Sequence, residues 1–185
     1  MEKTKKQTFN TKVFECCADD KLRPIMQCVF FENGYAYASD GTVAIKQTLS
    51  FQTVIDIPEL DGKLLHKDSY SAVMGFEFAT ATPDGIDCLN ANGQKAFFEY
   101  FAPPETDKIP NYEAIIKGKR GLTSVGFIGI DPRRLARLTK ALYDPSGNLR
   151  LQFSGVDSAI FVDVVGVDEQ QAIMMPIILN DTLFK

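Results

Sequence analysis

An α+β fold of antiparallel sheets, built from a repeated strand–helix–three-strand unit, is what this 185-residue sequence predicts. Three observations carry the reading. Asn33-Gly34 and Asp40-Gly41 divide Met26–Thr48 into three strand-like runs. Asp84-Gly85 and Asn92-Gly93 divide Phe76–Phe101 in the same way and at nearly the same offset. A helix with clear start and stop signals, Asp131–Tyr143, precedes a third triplet of strands. Asn-Gly and Asp-Gly are strong hairpin signals because both central residues of a type I′ turn need positive φ. Matched turns at one offset suggest an internal repeat.

Taken in order, the first unit is a short strand Gln7–Phe9, a helix Thr11–Ala18, and strands Met26–Glu32, Tyr35–Ser39 and Thr42–Thr48, rich in Val, Phe, Tyr and Ile. The second is a strand Lys63–His66, a short helix Asp68–Gly75, and strands Phe76–Thr82, Ile86–Ala91 and Gln94–Phe101. Pro103, Pro104, Pro110, Gly118 and Gly121 mark the next stretch as a linker or crossing segment. The third unit has a strand Ser124–Ile130, the helix Asp131–Tyr143, and strands Leu149–Ser154, Ala159–Val165 and Ala172–Leu179. Asp131 is a good N-cap, Pro132 suits the first helical position, and Asp144, Pro145 and Gly147 stop the helix. Residues 1–117 thus hold two units and residues 118–185 the third.

Composition and motifs narrow the chemistry. The apolar fraction is 45%, the charged fraction 24% and the formal net charge -4, all ordinary for a globular chain. The longest apolar run, Ala172–Leu179, contains Pro176 and is too short to span a bilayer. The polar residues Met1–Lys6 lead into no hydrophobic signal region, so a cytoplasmic location without membrane attachment is expected. Cys16, Cys17, Cys28 and Cys88 form no C-x-x-C pair, and His66 is the sole histidine. Zinc sites draw closely spaced Cys and His ligands, so neither a metal nor another cofactor is expected, and the thiols read as buried and free. No G-x-S-x-G, G-x-G-x-x-G or P-loop pattern is present. The inventory points away from an enzyme.

The helix Asp131–Tyr143 is the most informative element. At about 100° per residue, Leu135, Leu138 and Leu142 share one sector, while Arg133, Arg137 and Lys140 share the opposite one, flanked by Arg134. No acidic residue lies between its caps. Such a face is either solvated, as on most amphipathic helices, or placed to meet phosphates. Residues 1–117 are net acidic and residues 118–185 close to neutral, so a mildly acidic chain is compatible with a local basic surface.

Three stretches give the sequence a resemblance to a known family. They are Arg23-Pro24-Ile25-Met26 through Phe30–Gly34 to Ser39–Ala44, then Ile109–Ile116, then Gly126–Leu179 ending in Met174-Met175-Pro176-Ile177-Ile178-Leu179. In this order they resemble the bacterial replicative sliding clamp, the beta subunit of DNA polymerase III. The resemblance covers that protein's middle domain plus the second half of its last domain. It implies a DNA-clamp-like fold, with 1–117 a complete clamp-like domain and 118–185 a half-domain.

The resemblance implies two binding surfaces. Double-stranded DNA would meet Arg133, Arg134, Arg137 and Lys140. Short peptides of replication or repair proteins would enter a groove between Ser39, Gly41, Thr42 and Val43 on one side and Met174, Met175, Pro176 and Ile177 on the other. Apolar residues with Met suit an adaptable pocket for a Leu or Phe anchor, although alternate residues of a closing strand also serve the core. Thr42 and Val43 replace the family's charged pair, and Ile178 its terminal arginine. The terminal Leu183-Phe184 resembles the anchor of the family's peptide ligands. Uncovered sheet edges of a half-domain favour pairing within the chain or a homo-oligomer. Two non-enzymatic functions remain open: a clamp-like protein of replication or repair, and a clamp-fold interaction module, decoy or adaptor, that does not encircle DNA.

Overall fold

The computed structural model describes residues 7–51, 57–118, 121, 123–145 and 147–178. The end of the last anticipated strand and the Leu183-Phe184 tail lie outside them. The α+β architecture and all three strand triplets are present. The first triplet is β1 (Cys28–Glu32), β2 (Tyr35–Ser39) and β3 (Val43–Thr48). A short strand β4 (Leu64–His66) leads into helix α1 (Lys67–Val73). The second triplet is β5 (Phe78–Ala81), β6 (Gly85–Leu89) and β7 (Lys95–Glu99). Helices α2 (Tyr112–Lys117) and α3 (Pro132–Ala141) precede β8 (Leu149–Gln152), β9 (Ile160–Val164) and β10 (Val167–Met174).

The first and third triplets merge. They form one seven-stranded sheet in the order β4-β1-β2-β3-β10-β9-β8, beside a three-stranded sheet β5-β6-β7. The first two units interlock by exchange. β4, at the head of the second unit, pairs with β1 of the first, while Gln7, at the head of the first, bridges Phe78 of the second. Turn chemistry sets the first hairpin: Asn33 at φ 52° and Gly34 at φ 78° adopt the left-handed conformation that a two-residue turn requires.

Apolar residues cover both faces of the large sheet. On one face Phe9, Phe31 and Tyr70 stack, with Phe9 and Tyr70 centroids 4.1 Å apart, and Leu138 and Leu142 of the α3 segment join them. On the other face α2 lays Tyr112 and Ile116 over Phe30, Tyr37, Phe161 and Ile173. This two-sided cover explains why every residue of β9 is buried, where a sheet facing water on one side would alternate.

The seam between the first and third units is β3 against β10, with Gln47 opposite Gln170, Ile45 opposite Ala172 and Val43 opposite Met174. Both glutamines are buried. Gln47 Nε2 donates to Gln170 Oε1 at 2.9 Å, and Thr11 Oγ1 donates to Gln47 Oε1. Gln170 Nε2 donates to the Tyr143 carbonyl at 2.6 Å, and the Tyr143 N–H returns a bond to Gln170 Oε1 at 3.0 Å. A slip of one residue would turn both amides to the opposite face and leave their partners unpaired.

Several elements differ from the sequence reading. Thr11–Ala18 forms only a 3₁₀ turn, Val13–Cys16. Its sequence is rich in β-branched and aromatic residues, which are weak helix formers. The Glu15 and Cys17 carbonyls accept from the Arg137 guanidinium, not from a further helical turn. Gln7–Phe9 and Ser124–Ile130 are reduced to isolated bridges at Gln7 and Gly129. β10 starts five residues earlier than expected because the β9–β10 reversal is tight at Gly166, φ 84°. The anticipated linker contains α2, capped by Asn111, whose side chain accepts from Ala114 N at 2.9 Å.

The seam yields a stability prediction. Gln170→Ala removes three hydrogen bonds, taking a partner from the buried Gln47 amide and from the part-buried Tyr143 backbone, which costs about 2–4 kcal/mol. Urea unfolding should show a midpoint lowered accordingly with an unchanged slope.

Candidate functional site

A cavity of about 280 Å³ opens where the seam meets α2. Ser39, Gly41, Thr42 and Val43 form one wall. Ile173 and Met175, from the end of β10 and just beyond, form the second; Pro110, Tyr112 and Ile115 form the third. Met26 closes the bottom corner from a 3₁₀ turn, Pro24–Gln27. The lining is mostly apolar.

Of the two expected clusters, the first lines the cavity whole and the second only through Met175. Successive side chains alternate at the end of a strand, so Ile173 and Met175 face the cavity and Met174 turns into the core, fully buried. Pro176 is buried outside the lining, and Ile177 bridges Gly129. Met26, Pro110, Tyr112, Ile115 and Ile173 line the cavity without having been anticipated there. Their sequence signal is indirect, in the Asn111 cap and the two-residue period of β10.

The first wall is held rigidly. Asp40 Oδ1 accepts from Thr42 N at 2.7 Å, Thr42 Oγ1 at 2.8 Å and Val43 N at 2.9 Å. Ser39 Oγ donates to the Val43 carbonyl at 2.7 Å and accepts from Gly41 N at 3.0 Å. Met175 N donates to the Thr42 carbonyl at 2.8 Å, which ties the two walls together. The remaining Asp40 oxygen is paired with Arg137. Burial alone would raise the Asp40 carboxyl, but hydrogen bonds from Val43, Thr42 and Arg137 outweigh it and hold the group below its ordinary 3.8.

α2 is clamped to the sheet by Glu113. That carboxylate pairs with Lys46, accepts from Tyr37 Oη at 2.6 Å, and meets Lys117 at 3.0 Å. The Lys46 ammonium also stands 4.0 Å above the Tyr35 ring. Hydrogen bonds from Lys46 and then Tyr37 pull the Glu113 carboxyl down to about 2.

The four cations of the α3 region separate into two pairs. Arg133 and Lys140 are exposed, with side chains 88% and 60% accessible. Arg133 pairs with Asp131 at 3.0 Å, and Lys140 stands 3.9 Å from Glu15. Arg134 and Arg137 are turned inward. Arg134 Nη1 donates to the Met175 carbonyl at 2.8 Å. Arg137 donates to the Glu15 and Cys17 carbonyls, each at 2.8 Å, besides pairing with Asp40. Both inward arginines therefore brace the cavity walls from behind. The four cysteines are free and buried; burial pushes the Cys16 thiol up to about 12, so it carries no thiolate chemistry near neutrality. No helix among the described residues is long and apolar enough to cross a membrane.

Set beside solved structures, the arrangement of units and helices decides the fold. The fold is that of the bacterial sliding clamps. The DNA polymerase sliding clamp of Pseudomonas aeruginosa superposes with a TM-score of 0.61 at 11% identity, over 91% of this chain and 64% of that one. The sliding clamp of Bacillus subtilis gives 0.62 at 10% identity, over 97% and 66%. The beta clamp of Helicobacter pylori, solved bound to a DNA ligase peptide, gives 0.66 at 10% identity, over 96% and 67%. This chain thus spans about two thirds of the length of the sliding clamps it matches. No protein-family model and no curated protein matches it by sequence.

The Glu113 clamp gives a pH prediction. Its folded value lies below the ordinary 4.5, so its contribution is complete above about pH 4.5 and is lost as pH falls towards about 2. Glu113→Gln should lower the melting temperature at neutral pH and flatten its decline over that acid window. An unchanged acid limb would assign the window to other carboxyls.

Proposed function

We propose that this clamp-fold protein acts by binding, and that its cavity takes short peptides of replication or repair proteins through a large apolar side chain. The observation that carries this reading is the cavity itself. It is apolar, rigidly walled and open at a junction of three segments, and it is of the right scale for one or two Leu- or Phe-sized anchors. Exposed apolar side chains stand at its mouth, with Ile115 44% and Met175 39% accessible. The ligase peptide in the Helicobacter pylori beta clamp supports the same class of ligand.

DNA contact is the second component, and it is the smaller. Arg133 and Lys140 are the α3 cations available to phosphates, because Arg134 and Arg137 hold the cavity walls. This balance favours an interaction module over a chain that grips a duplex through α3. We take 1–117 as the complete domain and 118–185 as the half-domain docked on it through β3 and β10. The outermost strands β7 and β8 are the edges through which a homo-oligomer would extend the sheets.

Peptide binding is tested by fluorescence anisotropy with a labelled Leu-Phe peptide. Ile115→Glu and Met175→Glu alter exposed side chains, so the fold is kept, and each should weaken binding by roughly tenfold or more. Unchanged affinity in both would place the peptide elsewhere. The DNA component is tested by salt titration with a duplex. Two available cations on α3 predict a log–log slope near -2 from this helix. The slope should vanish in the Arg133→Glu, Lys140→Glu double variant while peptide affinity stays constant.

A further inference from the structure

In each strand triplet the first strand has one side that its own triplet leaves free. On β1 that side carries β4, with Val29 opposite Leu65. On β5 it carries Gln7, whose N–H donates to the Glu77 carbonyl and whose carbonyl accepts from Ala79 N, both at 2.7 Å. On β8 it carries no strand among the described residues, and β8 ends its sheet. Just past β8, Thr123 N donates to the Phe153 carbonyl at 3.1 Å. That bond shows which backbone groups point outward. The Phe153 carbonyl turns away from β9, whereas the Asn148 carbonyl accepts from Val165 N on the β9 side. By alternation Leu149 and Leu151 turn their N–H and C=O groups to the free side, and among the described residues no hydrogen-bond partner meets them there.

The side chains of this edge are as incomplete as its backbone. Leu149, Leu151 and Phe153 turn to the core that holds Val29 and Phe31. Val29 and Phe31 are fully buried where β4 covers β1, but the three apolar residues at β8 are half-buried. A depression of about 490 Å³, lined by Thr123, Ser124, Arg150, Leu151, Gln152 and Phe153, lies alongside. The open stretch, Leu149–Leu151, matches β4 in length, which pairs three residues with Cys28–Phe30. The folded edges of a second copy do not complete it. Tyr100 N donates to the Asp84 carbonyl on the β6 side, so Lys95, Phe97 and Glu99 of β7 turn their backbone outward. Their side chains lie on the solvent face, and antiparallel pairing would set Phe97 beside core-facing Leu151. Two β8 strands paired antiparallel either bring both copies of Arg150 face to face or need the Phe153 carbonyl that Thr123 holds. A homo-oligomer is thus left to β7, and β8 to a separate extended segment.

We propose that β8 is a strand-addition site for an extended segment of a partner protein, one that carries an acidic residue between two apolar residues. The proposal is independent of the cavity. The pattern follows from the geometry of the edge. Residues opposite Leu149 and Leu151 share their face, so apolar side chains there close the half-buried core as Leu65 of β4 does beside Val29. The residue between them stands opposite Arg150 in a non-hydrogen-bonded pair, where side chains approach most closely. Arg150 is 68% accessible and uses Nη2 on Asp163 at 3.1 Å, which leaves other donors of its fork for an incoming carboxylate. Main-chain bonds to Leu149 and Leu151 supply affinity, and the alternating side chains supply selectivity.

The test uses the full chain and a labelled, end-capped peptide, Thr-Val-Glu-Val-Thr, followed by anisotropy and by amide hydrogen exchange. Millimolar peptide should slow exchange at the Leu149 and Leu151 amides. N-methylation of both valines removes the donors aimed at β8 and should weaken binding by roughly tenfold or more. N-methylation of the glutamate, whose N–H points away, should leave affinity unchanged. Replacing that glutamate by glutamine should cost roughly two- to fivefold, the range of an exposed ion pair. The Ile115→Glu and Met175→Glu variants should bind this peptide as the unaltered protein does, which separates the edge from the cavity. Absence of binding, or binding indifferent to valine N-methylation, overturns strand addition. Affinity lost in the cavity variants moves the peptide to the cavity and overturns the edge site. Protection of Leu149 and Leu151 that rises with protein concentration without peptide gives the edge to a second copy and overturns the proposed occupant. Equal affinity of the glutamate and glutamine peptides overturns the role of Arg150.

Discussion

The pairing of β10 with β3 is the constraint on which the rest of the structure depends. It joins residues far apart in the chain and puts Met175 within a hydrogen bond of Thr42. Without it the cavity loses the wall that Ile173 and Met175 supply. The pairing is specific because it is partly polar. Backbone ladders alone tolerate shifted registers, whereas the Gln47–Gln170 pair, buried and closed on Tyr143 and Thr11, is satisfied in one register only. Arg137 adds a tie from outside the sheet, reaching Asp40 and two carbonyls of the 3₁₀ turn. Sheet, turn and helix are thus fixed to one another at the place where the cavity opens.

The part of the fold legible in the sequence is local. Asp84-Gly85 marks a real reversal, where Gly85 opens β6 and is needed because a Cβ would meet the Phe98 carbonyl. Asn33-Gly34, Asp40-Gly41 and Asn92-Gly93 each mark one with the glycine at positive φ, a requirement intrinsic to the residue. α3 is legible for the same reason, through Asp131 and Pro132. Where local signals fail, partners distant in sequence decide. Thr11–Ala18 stays a short turn because Arg137 takes carbonyls that a longer helix would use. The site divides along the same line. Ser39–Val43 form a turn whose cavity-lining residues face one place. Met174–Ile177 belong to a strand and its exit, where alternation sends Met174 inward and leaves Met175 at the cavity. A contiguous motif cannot by itself separate the two.

The charge stripe of α3 illustrates a limit of reading sign from sequence. Arg133, Arg137 and Lys140 share one sector of the helical projection with Arg134 on its flank, yet their environments differ. Arginine's planar fork suits it to satisfy several fixed acceptors at once, and Arg137 meets three. Lysine's single ammonium has no such geometry, and Lys140 stays at the surface. A stripe that serves partly as internal bracing has fewer cations to give to solvent or to phosphate than its formal charge states.

This division sets a physical competition between the two faces of the molecule. A phosphate drawn to Arg137 would offer one charged partner in exchange for three, and it would leave Asp40 part-buried without its cation. Breaking such a pair costs more than the pair itself contributes, because the remaining charge keeps its desolvation penalty. Asp40 is also the acceptor for Thr42 and Val43, so the cost falls on the cavity wall. Arg134 is bound in the same way through the Met175 carbonyl. The helix can therefore keep the cavity shaped or give all of its arginines to a polyanion, and the geometry it adopts commits two of them to the cavity. In a chain of net charge -4, that commitment is what favours the proposed peptide role of the cavity over contact with a polyanion through α3.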